Sequence, residues 1–297
     1  MMRAFHSDDF SAERLLAAKR GRTVSVILPA RDEESTVGAV VATIRQQLMD
    51  RFPVVDELVV IDDGSSDATA TRAAEAGARV VAAASVLPEY GTEHGKGQAA
   101  WRGVHVTSGD IVVFCDSDVI GFPAQFVLGL VGPLLDHEDL AFVKGFYRRS
   151  YQGQPGQGGR VTELMARPLI SLLFPHLAPL VQPLAGEFAA RRDILESVPF
   201  VGGYGVDLGL LIDVADRWGP SAIAQCDLGE RVHRNRPLSD LGPQAMVILQ
   251  LGLNRAGLAA TTTPWGSLLL RPDAPPLPVT LVQRPPLAEV PAHRKTA

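Results

Sequence analysis

Lysine is scarce in this chain of 297 residues: Lys19, Lys96, Lys144 and Lys295 are all there is, against 24 arginines among 28 basic residues. Genome composition accounts for such a bias, and it makes Lys96, which lies in a glycine-rich turn, stand out. Cysteine is scarcer still. Cys115 and Cys226 lie in apolar surroundings, form no metal or redox spacing, and imply a reduced cytoplasmic setting. No run of ~18 apolar residues offers a transmembrane helix. The first ten residues hold Asp8 and Asp9 without an apolar h-region, so no targeting segment is expected. A basic excess is lacking as well. A net charge of −5 and a pI near 5.8 argue against a general nucleic-acid binder, whose surface must neutralise many phosphates. Small anionic ligands, which need only a local cluster of cations, stay open. Internal repeats are absent.

What is present describes an ordinary globular protein, 46% hydrophobic and 21% charged, long enough for one large α/β domain or two small ones. Apolar runs at Val24–Leu28, Leu58–Ile61, Val80–Val81 and Ile111–Phe114 predict strands. Between them, helical patterns cover 33–50 (Val37, Val40, Val41, Ile44, Leu48), 67–76 and 97–107, after a short amphipathic helix over 9–20. This alternation predicts an α/β fold with a mostly parallel, doubly wound sheet. No G-x-G-x-x-G follows the first strand, so a dinucleotide fold is not expected. The second half is less regular: a strand over 141–149, a glycine loop over 151–160 and a helix over 161–174 bent at Pro168. A helix over 207–218, a strand over 223–228 and a helix over 238–256 broken near Gly242-Pro243 follow. Seven prolines in the last 27 residues predict an extended or disordered tail, dispensable for chemistry. The chain thus divides into a helical extension (1–21), a nucleotide-binding half (22–120), a second half of the same domain (121–256) and a tail (257–297).

Asp116 and Asp118 follow the apolar run Ile111–Phe114 directly. In open α/β sheets ligands bind at the carboxyl ends of strands, and two acids there can hold a hard divalent cation that in turn holds phosphate oxygens. An isolated Asp-x-Asp more often caps the next helix. Three other loops change the balance. Pro29-Ala30-Arg31-Asp32-Glu33-Glu34 ends the first strand, and Glu33 there suits a base or ribose, or else an acidic first helical turn. Asp62-Asp63-Gly64-Ser65-Ser66-Asp67 ends the second, with hydroxyls and acids for a ribose or uracil edge, or merely an N-cap. Gly95-Lys96-Gly97 opens a helix whose free N–H groups and lysine suit phosphate, without the spacing of a P-loop.

These four loops in this order resemble the nucleotide-diphospho-sugar glycosyltransferases of the GT-A fold. Downstream, Gly158-Gly159-Arg160-Val161-Thr162-Glu163-Leu164 puts a guanidinium and a hydroxyl at a helix start, a ready anion site. With Pro183-Leu184-Ala185-Gly186-Glu187, Gly203-Tyr204-Gly205-Val206-Asp207 and Arg231-Val232-His233-Arg234-Asn235-Arg236-Pro237, the pattern resembles the actinobacterial glucosyl-3-phosphoglycerate synthases over about 22–256. Mannosyl-3-phosphoglycerate synthases are near relatives. The resemblance implies a cytoplasmic, homodimeric retaining transferase that moves glucose from UDP-glucose to the 2-hydroxyl of 3-phosphoglycerate with Mg2+ or Mn2+. It implies donor contacts from Pro29, Ala30, Glu33, Ser65, Lys96, Asp116 and Arg231, and metal ligation by Asp118 and His233. Gly159, Arg160, Val161, Thr162, Tyr204 and Asn235 would hold the acceptor; Asp116, Leu184, Glu187 and Asp207 would stand at the reacting sugar. The first loop reads P-A-R-D-E-E where the family has P-A-L-N-E-E, Asp207 replaces a family Glu, and the glycine loop is shorter. Rival readings are mannosyl transfer from GDP-mannose, a polyprenyl-phosphate transferase with Asp207 as base, and a non-catalytic nucleotide binder.

Overall fold

The computed structural model of the chain describes residues 2–151, 154–155, 159–232, 241–258, 267–272 and 274–294. Strand β1 (Arg3–His6) precedes helix α1 (Ala12–Ala18), so the N-terminal segment read as a helix also carries a strand. Then β2 (Val24–Ala30), α2 (Val37–Ile44), β3 (Glu57–Asp62), α3 (Thr69–Glu75), β4 (Arg79–Ala82), α4 (Lys96–Val106) and β5 (Ile111–Phe114) follow the predicted alternation. Helix α2 buries Val37, Val40, Val41 and Ile44, the periodic positions, before a π-helical turn over Arg45–Arg51.

Helix α5 (Gln125–Asp136) is the element the sequence pattern hides. Every residue from Phe126 to Leu135 is buried, so the helix is apolar all round and shows no 3.6-residue stripe. It is wedged between the sheet and the N-terminal segment, with Phe10 packed where a side chain at Gly132 would stand. The chain continues through β6 (Phe142–Tyr151), β7 (Gln154–Pro155), a π-helical turn (Thr162–Ala166), α6 (Arg167–Leu173), β8 (Phe188–Arg191), α7 (Arg192–Ser197) and β9 (Phe200–Val201). Then come α8 (Val206–Trp218), β10 (Ile223–Val232), α9 (Leu241–Arg255), β11 (Leu268–Arg271), β12 (Ala274–Pro278), β13 (Gln283–Arg284) and α10 (Pro291–Arg294). Helix α9 is unbroken over its length. Gly242-Pro243 falls in its first turn, where proline lacks no needed N–H.

The main sheet runs β1-β10-β6-β8-β5-β2-β3-β4, with β7 paired to β6. It is mostly parallel; β8 is antiparallel to both neighbours. At four residues β8 has no readable pattern, and what holds it is Phe188, stacked between Phe114 (4.5 Å) and Phe142 (5.1 Å). Because β3, β2 and β5 are parallel neighbours, their carboxyl ends open on one sheet edge, with Ala30 opposite Asp62 and Ile27 opposite Phe114. Among the described residues no helix is long and apolar enough to cross a membrane.

The proline-rich tail is folded onto the protein instead of free. Strand β13 pairs with β9, Gly202 N donates to Val282 O (2.7 Å), and Trp101 Nε1 donates to Pro285 O (2.9 Å). Leu287 and Val290 are fully buried, which is why prolines do not leave this segment in solvent: its apolar residues have a place to go. Burying two such side chains contributes about 3–6 kcal/mol. Ending the chain after Pro278 should therefore lower the melting temperature by at least about 5 °C in a thermal scan. An unchanged midpoint would show the tail to be dispensable.

Candidate active site

The loops at the sheet edge are fastened to one another by reciprocal hydrogen bonds. Asp32 N donates to Ser65 Oγ (3.0 Å), and Ser66 N to Asp32 Oδ1 (2.7 Å). Glu33 N donates to Thr69 Oγ1 (2.7 Å) and Ala68 N to Glu34 Oε2 (3.0 Å). Asp32 adopts a left-handed conformation (φ 55°), one an aspartate tolerates better than most residues. The pair Arg31-Asp32, which departs from the family string, thus divides: Asp32 ties two loops, and Arg31 is exposed on the cavity wall. Buried Asp63 accepts from Gly95 N (2.6 Å) and so anchors the glycine turn. Gly97 lies directly against the Val201 carbonyl, with no room for a Cβ, which brings Lys96 beside the loop that carries Tyr204.

Beneath this edge lies a connected array of charge. Lys96 Nζ donates to Asp116 Oδ1 (2.6 Å), and Arg231 Nη1 to Asp116 Oδ2 (2.9 Å), Glu187 Oε1 (2.7 Å) and Tyr147 Oη (2.8 Å). Arg231 Nη2 donates to Asp118 Oδ1 (2.6 Å). Gly186 has to be glycine here, because a Cβ would collide with Lys96 Nζ and the Asp116 carboxylate. Burial opposes charge on Asp116, yet Lys96 and Arg231 hold its carboxyl well below the usual carboxylate range. Burial likewise works against the Lys96 ammonium, but Asp116, Asp207 and Glu187 outweigh it and raise its pKa. Glu187 goes the other way: burial raises its pKa against the pull of Arg231, and the neighbouring Asp116 charge adds to the rise.

A cavity of about 580 Å³ opens on this floor. Pro29, Ala30, Glu33, Lys96, Asp116, Asp118, Leu184 and Arg231 line it. Gly159, Arg160, Val161, Thr162, Tyr204 and Asp207 line it as well, with Asp207 3.9 Å from Lys96 Nζ. Two expected residues stand behind the wall. Ser65 is spent on the loop-to-loop bond, and Glu187, fully buried, backs Arg231. His233 and Asn235 lie outside the described residues. Other lining residues were not singled out for a role: Asp63 lies in the second-loop motif, whereas His94 and Tyr147 belong to none. The second aspartate of Asp62-Asp63 was visible beside the chosen Ser65; Tyr147, on β6, gave no signal at all.

The donor set fits a hard divalent cation. Asp116 and Asp118 offer carboxylate oxygens two residues apart at the end of β5, and the Asp118 side chain is 38% exposed toward the cavity. Among the described residues no cluster of three His, Cys, Asp or Glu side chains forms a complete metal site, and the Arg231 guanidinium bridges the two aspartates.

Fold and site together define a nucleotide-sugar transferase. The sequence model for glycosyl transferase family 2 matches residues 25–198. The chain is 47% identical over 298 residues, 95% of its length and 90% of the relative's, to the glucosyl-3-phosphoglycerate synthase of Mycobacterium tuberculosis. The crystal structure of that synthase with Mn2+, UDP-glucose and phosphoglyceric acid superimposes with a TM-score of 0.88, covering 97% of this chain and 98% of that one at 47% identity. Its complex with Mn2+, UDP and glucosyl-3-phosphoglycerate gives 0.87, covering 97% and 99% at 46% identity. The chain belongs to glycosyl transferase family 2, with a GT-A fold, and within that family to the glucosyl-3-phosphoglycerate synthases.

Proposed function

We propose that the protein transfers glucose from UDP-glucose to the 2-hydroxyl of 3-phosphoglycerate, keeping the anomeric configuration and releasing UDP. The observation that carries this reading is one cavity lined by two unlike sets of residues. The Pro29–Glu33 loop and Lys96 suit a nucleoside diphosphate, and Arg160 with Thr162 suits a small phosphorylated acid. The mycobacterial synthase, similar over nearly the whole chain, carries both ligands at once. Mg2+ or Mn2+, held by Asp118 with Asp116 beside it and His233 completing the set, would neutralise charge developing on the departing diphosphate. Lys96 and Arg231 bind and orient the donor's phosphates, and Asp116 steers the sugar–ribose side. The walls at Leu184 and Tyr147 limit water around the sugar. Burial keeps Glu187 paired with Arg231, which fixes the guanidinium in place. Asp207 and Tyr204 line the same cavity. The reduced cysteines and the family resemblance support a homodimer working in the cytoplasm.

Incubation with 3-phosphoglycerate, Mg2+ and, separately, UDP-glucose, GDP-glucose or GDP-mannose tests the reading. NMR of the product should show an α-glucosyl group on the 2-hydroxyl with UDP-glucose; turnover with GDP-mannose alone would overturn it. Charge-assisted hydrogen bonds of the kind Arg160 can make contribute about 1.5–3 kcal/mol. Arg160→Ala should raise the acceptor KM at least about tenfold and leave the donor KM little changed. An unchanged acceptor KM would remove Arg160 from the acceptor site.

A further inference from the structure

Lys144 belongs to no motif and does not line the cavity. It stands within β6, 1% exposed, its ammonium 2.7 Å from Asp207 Oδ1 and 5.2 Å from the centre of the Phe188 ring. Asp207, in the first turn of α8, lines the cavity and turns its second oxygen toward Lys96 Nζ, 3.9 Å away. Lys96 itself sits 2.6 Å from Asp116. Asp207 therefore lies between two ammonium groups, 2.7 Å from the one behind the wall and 3.9 Å, the edge of ion-pairing distance, from the one inside.

We infer that Lys144 is a positioning residue: by engaging Asp207 from behind, it leaves Lys96 free to serve Asp116 and the donor's diphosphate. A carboxylate already paired at 2.7 Å pulls less on a second cation than a bare one in a dry site would. The site has no charge to spare, for Lys96, Lys144 and Arg231 stand against the carboxylates of Asp116, Asp118, Glu187 and Asp207. Removing Lys144 makes that floor more negative by one charge where an anionic diphosphate has to bind, and offers Lys96 a competing partner.

The inference rests on the UDP-sugar reading, and calorimetric titration of UDP in the presence of Mn2+ separates the two. Wild-type protein that does not bind UDP would reject that reading itself. Given wild-type binding, Lys144→Met should weaken UDP at least tenfold, about 1.4 kcal/mol. Lys144→Met combined with Asp207→Asn, which removes the unpaired charge, should bring the affinity back to within threefold of wild type. A purely structural ion pair predicts a lower melting temperature with UDP affinity unmoved. Wild-type affinity in Lys144→Met, or a double variant as weak as the single, overturns the inference. Should the Met variant not fold, Lys144→Gln, which keeps an N–H but no charge, takes its place. The double variant replaces a buried ion pair by neutral groups of similar size, a change proteins often tolerate, so a tenfold loss in it is decisive by itself.

Discussion

Arg231→Ala should produce both an inactive enzyme and a markedly less stable one. The guanidinium is 3% exposed and serves Asp116, Asp118 and the fully buried Glu187 at once. Taking one partner out of a buried ion pair costs about 3–5 kcal/mol, because the remaining charge has neither water nor counter-ion. For a chain of this size that is a fall of at least about 5 °C in melting temperature. The loss should depend on pH. Burial already holds the Glu187 carboxyl above the ordinary range against the opposing pull of Arg231, so without Arg231 the native state favours its protonated form more strongly. A group whose native pKa is raised keeps its stabilising contribution below its unfolded value, ~4.3 for glutamate, and loses it as the pH climbs through the native value. The deficit relative to wild type should accordingly be smaller at about pH 5 than at about pH 8. Thermal melts across that range decide it; equal deficits would show that Glu187 does not depend on Arg231.

Asp118→Ala should abolish turnover and leave the fold nearly intact. Its carboxylate is 38% exposed, and its removal frees a single Arg231 N–H that the cavity can hydrate. The melting temperature should move by less than about 2 °C, in contrast to Arg231→Ala. Turnover should fall at least about a thousandfold, because a metal's neutralisation of a leaving diphosphate is worth several kcal/mol. Mn2+ binding, followed by electron paramagnetic resonance without any substrate, should weaken in parallel. Activity and Mn2+ affinity near wild type would sink the metal role of Asp118.

Motifs with strong local chemistry were legible early. Asp116 and Asp118 follow an unbroken apolar run, Lys96 stands between glycines at a helix start, and Arg160 and Thr162 flank a valine after a glycine loop. Each signal survives in one dimension because strand ends and helix starts impose residue types on their neighbours. Lys144 offered nothing comparable. It looks like a polar lapse in a strand, and its function exists only because Asp207, 63 residues on, folds against it. Helix α5 failed for the opposite reason, being buried on every side. The tail misled through composition: its prolines suit disorder, but Leu287 and Val290 have buried sites that the sequence does not announce.

By itself the sequence determined the strand–helix alternation of the first half, the sheet edge at which ligands meet, and which side chains there carry charge. Periodicity and the rule that parallel strands present their carboxyl ends together are local or topological facts, and they can be read in order. Only the tertiary structure decided how those charges pair. It set Arg231 across Asp116 and Asp118, more than a hundred residues away, and Glu187, 44 residues away, and put Lys144 behind Asp207. Partner choice in a dry, crowded site depends on distances of an ångström or two between segments remote in the chain, and no spacing along the chain encodes them.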